Sequence, residues 1–119
     1  MTPLKVDIEI VVDRREAGSE VPGRLARQEG VFLSWSTLKS ADYSIRGVIG
    51  IERKTAVDFA KSVFDGRLFA QMSALRRLYE RPLLLLEKFP PDGEVAGVSR
   101  PALSGALVSV AAVFGVRFC

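Results

Sequence analysis

Alternating apolar and polar positions predict β-strands in the first half of the chain. Residues 5–13 place apolar side chains at every second position and end in an acid, which is typical of a half-buried strand. Residues 31–38 are rich in β-branched and aromatic side chains and predict a second strand. Residues 42–45 and 48–54 predict two more, joined as a hairpin through the Arg46-Gly47 pair.

A period close to that of the α-helix dominates the middle of the chain. Residues 20–28 predict a short helix with Pro22 in its first turn. Thr55 is suited to cap the next helix, whose apolar stripe consists of Ala56, Phe59, Ala60, Val63 and Phe64. Residues 68–80 predict a further helix, with Leu68, Met72, Leu75 and Tyr79 facing inward.

The last third of the chain adds a strand, an apolar helix and a final short strand. Residues 83–86 form an unbroken apolar run ended by Glu87, which predicts a strand buried on both faces. Residues 101–114 predict a helix and residues 116–118 a strand. This mixed order indicates the α/β class, a central mixed sheet with helices on both faces, and 119 residues suit one domain spanning 1–119.

Composition excludes several kinds of chemistry. These 119 residues contain no histidine, and their one cysteine is Cys119, so histidine-based triads, histidine metal ligands and disulfides between these residues are excluded. The net charge is +3, and residues 46–81 hold eight basic against four acidic side chains, an excess of +4. This excess favours a polyanionic partner such as nucleic acid.

Targeting signals are also missing from the pattern. Residues 1–7 lack the layout of a signal peptide, and no apolar run approaches the roughly 20 residues that span a bilayer. The sequence therefore predicts no membrane segment and a cytoplasmic location, associated with the nucleoid, or with the nucleus in a eukaryote.

The strand over residues 48–54 carries the strongest candidate chemistry. Alternation places Glu52 and Lys54 on one face and Arg53 on the other. A carboxylate can hold a hard divalent cation while an ammonium steadies a phosphate, a combination suited to phosphodiester hydrolysis. A solvated strand end with an incidental Glu/Lys pair is the alternative interpretation.

Asp42, on the preceding strand of the hairpin, becomes a second metal ligand only in one register. A two-residue loop pairs Asp42 with Ile51, whereas a three-residue loop, or a bulge with Gly47 in the left-handed region, pairs it with Glu52 on one face. A turn residue is the alternative for Asp42. Asp58 can either stabilise the start of a helix or point back at the site.

Five motifs occur in order along the chain, namely V-D-R-R-E at 12–16, A-D-Y at 41–43, E-R-K-x-x-x-D at 52–58, D-G-R-L-F at 65–69 and R-P-L-L-L-L-E at 81–87. Together they resemble the nuclease domain of the XPF/Hef family of structure-specific endonucleases. The resemblance implies a restriction-endonuclease-like fold and Mg²⁺ or Mn²⁺ as cofactor. The implied catalytic residues are Asp13, Asp42, Glu52, Arg53, Lys54 and Asp58, with Asp13, Asp42 and Glu52 as metal ligands.

The resemblance also implies partners. DNA, in branched or flap form, is the expected substrate, with Arg15, Arg53, Lys61, Arg67 and Arg76 predicted to contact it. A homodimer is expected through the C-terminal helix, with Leu103, Ala106, Leu107, Val110 and Phe114 at the interface; burial of that helix within one monomer is the alternative.

One departure from the family pattern concerns Ala41, which replaces the usual glycine and is tolerable unless the backbone there needs a positive φ. In addition, family members generally carry helix-hairpin-helix modules, and archaeal Hef a helicase, that these 119 residues do not contain. The leading hypothesis is a metal-dependent endonuclease. A non-catalytic DNA-binding or dimerisation subunit, and a sequence-specific restriction-type enzyme, are the alternatives.

Overall fold

The computed structural model describes residues 7–119, and the predicted start of the first strand, residues 5–6, lies outside the described residues. A six-stranded mixed sheet in the order β2-β1-β3-β4-β5-β6 forms its centre. The strands are β1 (Ile8–Asp13), β2 (Val31–Ser36), β3 (Tyr43–Ile45), β4 (Ile49–Thr55), β5 (Arg81–Glu87) and β6 (Arg117–Phe118). The α-helices are α1 (Val21–Ala26), α2 (Ala56–Phe64), α3 (Leu68–Leu78) and α4 (Arg100–Ala112). A 3-10 helix, Arg14–Gly18, follows β1 directly.

Strand directions decide which residues meet. Only β3 runs antiparallel to its neighbours, so β1, β4 and β5 end at the same end of the sheet, where β3 begins. We call this the carboxyl end of the sheet, and the opposite end, where β4, β5 and β6 begin, the amino end. The carboxyl end is where ligands bind in most open α/β sheets.

Two hydrophobic clusters cover the two faces, as the sequence predicted. α2, α3 and α4 pack on one face around Phe59, Met72 and Leu84. The short helix α1 covers part of the other face, against Val12 and Tyr43. The α/β class and the mixed central sheet with helices on both faces are confirmed.

Two predictions of burial were wrong. Phe64 is 81% exposed, because the eighth position beyond Ala56 has rotated roughly 80° away from the first in a helix of 3.6 residues per turn. In β5 only Leu84 is fully buried, and its neighbours Leu83 and Leu85 are half-buried. The cluster beneath the six-residue helix α1 includes no residue of β5, so helices cover that strand on one face only.

The C-terminal helix α4 is amphipathic in its packing although its composition is apolar throughout. Leu103, Ala106 and Val110 are buried in the monomer's own core, and Leu107 and Phe114 pack against that core. Phe114 also stacks on Phe69, with ring centroids 5.2 Å apart. Assigning Leu103, Ala106 and Val110 to a dimer interface was therefore wrong, since the monomer's own core buries them, whereas Leu107 and Phe114 remain partly exposed. No described helix combines the length and apolarity that crossing a membrane requires.

Gly50 is the position where β4 tolerates no side chain. A Cβ built there would clash with Cγ, Cδ2 and Cε2 of the Tyr79 ring. We expect Gly50→Ala to destabilise the fold by about 2 kcal/mol, because the ring must leave its place. Urea unfolding measures this, with Gly23→Ala on α1, where a Cβ meets nothing within 4 Å, as the control. Equal stability of the two variants would contradict the prediction.

Candidate active site

Asp42, Glu52 and Lys54 meet at the carboxyl end of the sheet. Tyr43 pairs with Ile51 in the β3–β4 ladder, and Gly47 in the turn has φ 67°, so the hairpin has the register that brings Asp42 level with Glu52. The backbone N–H of Asp42 donates to the carbonyl of Ile51 at 2.8 Å. Alternation along β4 then places Lys54, only 8% exposed, on the face that carries Glu52.

The two carboxyl groups are electrostatically coupled. Burial, together with the negative charge of Asp42, raises the pKa of Glu52 to about 7, and the positive charges of Lys54 and Arg15 oppose this shift. Burial likewise raises the pKa of Asp42, although a hydrogen bond from the backbone N–H of Arg53 opposes this shift. A cation placed between two carboxyl groups with raised pKa values would stabilise their charged forms.

The donor set fits a magnesium-like ion held by two protein carboxylates. Mg²⁺ usually takes one or two carboxylates and completes its shell with water and substrate phosphate. Asp42 uses Oδ2 for the N–H of Arg53 at 2.8 Å, and its other oxygen and both oxygens of Glu52 make no hydrogen bond within residues 7–119. No group of three or more acidic side chains in that range has the arrangement of a complete metal cage.

Asp13 does not fit the role of a third ligand. Its Oδ2 accepts hydrogen bonds from the backbone N–H of Arg15 at 3.0 Å and from Nε of Arg15 at 2.6 Å. Its Oδ1 accepts the N–H of Leu38 at 2.8 Å. Despite burial, these bonds hold the pKa of Asp13 below its usual range. Because both oxygens are engaged, the carboxylate acts as the cap of the 3-10 helix and as an anchor for Arg15.

Arg53 lies on the opposite face of the sheet, as strand alternation predicted. Its Nε donates to Glu16 Oε1 at 2.7 Å, Nη2 to Glu16 Oε2 at 3.2 Å, and Nη1 to Glu87 Oε2 at 3.0 Å. The hydroxyl of Tyr43 donates to the same Glu16 carboxylate at 2.7 Å. Hydrogen bonds from Arg53 and Tyr43 outweigh burial and lower the pKa of Glu16. A direct DNA contact or a place at the metal does not fit a guanidinium so engaged.

Sequence reasoning missed the acids that hold Arg53. Glu16, the last residue of the V-D-R-R-E motif, is 7% exposed because the 3-10 helix turns it under the sheet. The available signal was Arg53 itself, since an arginine on the apolar face of a strand requires acidic partners. Glu87, at the end of the neighbouring parallel strand, was the other visible candidate.

The remaining predicted site residues are dispersed. Asp58 is exposed in the first turn of α2, where Thr55 caps the helix by accepting the Asp58 N–H at 3.2 Å, as predicted. Lys61 is exposed on α2, and Arg67 pairs with Asp65 at 3.1 Å. Arg76 lies at the amino end of the sheet, where Nη1 donates to the carbonyl of Val113 at 3.4 Å. Arg76 is thus separated from the carboxylates, and its predicted contact with DNA would be made at the other end of the sheet.

Arg15 and Ala41 both fit the site. The charge of Arg15 acts on Asp42 and Glu52, so this exposed guanidinium borders the carboxylates. Ala41 is 1% exposed and belongs to the core, and the positive φ of this segment falls on Ser40, at 62°. Alanine in place of the motif glycine is therefore accommodated without backbone strain.

Comparisons with known proteins agree with this geometry. Residues 12–119 match the ERCC4 domain family. The chain is 36% identical over 110 residues to the 3'-flap repair endonuclease Xpf of Saccharolobus solfataricus, covering 92% of this chain and 47% of that protein. It is 41% identical over 81 residues to the DNA repair endonuclease XPF of Mus musculus, covering 68% of this chain and 9% of that protein. XPF from Aeropyrum pernix superposes with a TM-score of 0.84 at 37% identity, covering 93% of this chain and 55% of that one. The same protein in complex with DNA gives a TM-score of 0.82.

Proposed function

The chain belongs to the ERCC4 domain family and is homologous to XPF nucleases, and we propose from this that it is a divalent-metal-dependent endonuclease acting on branched DNA. Mg²⁺ or Mn²⁺ is the proposed cofactor, and flaps and forks are the proposed substrates. The chain spans about half the length of the XPF proteins of Saccharolobus solfataricus and Aeropyrum pernix, so the activity of the whole protein is part of the proposal.

One observation carries the proposal. Asp42 and Glu52 are brought level by the bulged hairpin, both have raised pKa values, and Lys54 lies on the same face as Glu52. Burying two acids together costs stability, so the arrangement is best understood as a site for a cation. The non-catalytic alternative does not explain why this costly pair is present.

Each residue of the chain has a separate task in this proposal. Asp42 and Glu52 would hold the divalent ion, which would polarise a phosphate and lower the pKa of water. Lys54, largely shielded from solvent, offers its ammonium to the phosphate or to the attacking water. Arg53 acts from behind as a positioning residue, because its N–H holds Asp42 while its side chain is fixed by Glu16 and Glu87.

A cleavage assay tests the proposal. Labelled flap, fork and linear duplex DNA are incubated with the protein, with Mg²⁺, Mn²⁺ or a chelator, beside Glu52→Gln and Asp42→Asn. We expect metal-dependent cutting of the branched substrates that both variants lose. Absence of cutting with either metal would instead support the non-catalytic subunit.

Metal affinity is expected to depend on pH because of Glu52. A carboxyl group with a pKa of about 7 is mostly protonated at pH 6, and it must lose its proton to bind the ion. Apparent affinity for Mn²⁺ should therefore rise about tenfold per pH unit below pH 7 and level off above it. Titration calorimetry of Mn²⁺ from pH 5.5 to 8.5 measures this, and an affinity constant across that range would contradict it.

We also propose a homodimer, through the exposed side of α4 rather than its buried side. Gly105, Val108 and Ala112 point away from the core, and Val108 is 65% exposed. Val108→Glu should convert the dimer to a monomer, because a charge would then be buried at the interface. Light scattering after gel filtration measures this, with the exposed Val57→Glu of α2 as control. A concentration-independent monomer of the unaltered protein would refute the dimer.

A further inference from the structure

Four arginines line the amino end of the sheet, opposite the carboxylates. Arg46 is at the tip of the β3–β4 hairpin, and Arg81 and Arg117 begin the adjacent strands β5 and β6. Arg76 reaches this end from the last turn of α3. We call this set the arginine groove.

The groove is a continuous concave surface. Three adjoining depressions of about 430, 470 and 360 Å³ share Glu80 as a lining residue. Arg81 lines two of them, and Arg46, Arg117 and Arg76 line one each. Glu80 is the one acid that lines them among the described residues, so the groove carries four positive charges against one negative charge.

These arginines lack the acidic partners that several others have. Arg15, Arg24, Arg53 and Arg67 each form an ion pair with a carboxylate. Within residues 7–119, no ion pair joins Arg46, Arg76, Arg81 or Arg117 to an acid, and all four are exposed. Concentrated unpaired guanidinium groups create a positive potential that suits phosphate oxygens, which they bind in bidentate fashion.

The arginine groove and the carboxylates are too far apart for one phosphate group to contact both. From Ile49 to Lys54, β4 advances five residues, roughly 17 Å at the rise of a strand. This exceeds the Debye length of about 8 Å at physiological salt, so the charges at one end of the sheet are largely screened from those at the other, and the two ends contact different phosphates. A branched substrate has a second duplex arm that can reach the amino end while the first arm lies at the carboxyl end.

We propose that the arginine groove binds the phosphodiester backbone of a second duplex arm while the first arm lies at the carboxylates. This inference rests on the proposed function and adds a location for selectivity towards branched DNA within the nuclease domain itself. Because the groove contacts backbone, its contribution is independent of sequence and sensitive to salt.

Binding measurements test this on the unaltered protein, Arg81→Glu and Arg117→Glu. Fluorescence anisotropy in chelator compares a fork with two duplex arms against a linear duplex of the length of one arm, at several KCl concentrations. The control is Arg24→Glu on α1, which makes the same charge change at an exposed arginine outside the groove. Thermal unfolding verifies that each variant is folded.

For the fork, we expect Arg81→Glu to weaken binding about tenfold near 0.1 M KCl and to reduce the salt slope by about one. For the linear duplex, the affinity of Arg81→Glu should equal that of the Arg24→Glu control. If Arg81→Glu weakened binding of fork and linear DNA equally, or weakened neither, the proposed role of the arginine groove would be refuted. Metal-dependent cleavage by the unaltered protein would still support the proposed function in that case. Failure of the unaltered protein to bind or cut either DNA would overturn both.

Discussion

Glu52→Gln is expected to reduce the rate of DNA cleavage by about a thousandfold while leaving the fold intact. The amide keeps the size of the side chain but loses the negative charge that would hold the cation beside Asp42. Single-turnover cleavage of a flap at saturating protein measures the effect. Glu20→Gln, at an 86% exposed glutamate beside α1, is the matched control and should cut at the unaltered rate.

The same substitution should stabilise the metal-free protein. The pKa of Glu52 is about 7 in the folded protein and ordinary when unfolded, so the folded state binds this proton more tightly. The stability that Glu52 contributes is therefore complete below pH 4.5 and is lost as pH rises through 7. At pH 8 we expect Glu52→Gln to gain about 1 kcal/mol, or about 5 °C in Tm. A loss of stability at pH 8 together with lost cleavage would mean that Glu52 is structural.

Arg53→Leu is expected to cause the largest loss of stability of any single change in the network beneath the site. It leaves Glu16, 7% exposed, without its bidentate partner, and it also releases Glu87. Removing one member of a buried ion pair costs about 3–5 kcal/mol. Urea unfolding at pH 7 measures the change, and Arg24→Leu, which breaks an exposed pair with Glu20, should cost less than about 0.5 kcal/mol.

The pH dependence of Arg53→Leu distinguishes a lost ion pair from a general packing defect. The folded protein lowers the pKa of Glu16, so the contribution of this acid is present above pH 4.5 and is lost as pH falls through its folded pKa. The stability deficit of the variant should accordingly shrink in acid, where Glu16 is neutral. A deficit that is the same at pH 7 and pH 4 would contradict this account of the network.

The sheet could be predicted from the sequence because its strands follow the period of two and its helices the period of 3.6. The hairpin register could not be decided in advance. It depends on Arg46 and Gly47 both adopting positive φ, at 55° and 67°, a conformation that glycine favours but arginine does not. The register in turn decides whether Asp42 and Glu52 cooperate.

The sequence indicated the residues at the centre of the candidate site but not the residues that hold them in place. Glu52 and Lys54 share a strand, so alternation alone places them together. Glu16 reaches Arg53 only because Asp13 caps a 3-10 helix that the apolar pattern does not reveal. Leu103, Ala106 and Val110 were assigned to a dimer because composition cannot tell which side of an all-apolar helix the core covers.

Direct measurement of Mn²⁺ binding is the most direct test of the claim that Asp42 and Glu52 together hold a divalent cation. Titration calorimetry at pH 8 compares the unaltered protein with Asp42→Asn, Glu52→Gln and Asp13→Asn. The first two variants should lose the metal-binding heat, while Asp13→Asn, whose oxygens are engaged by Arg15 and Leu38, should retain metal binding in the folded fraction. Undiminished binding of Mn²⁺ by Glu52→Gln, or its loss only in Asp13→Asn, would contradict the account.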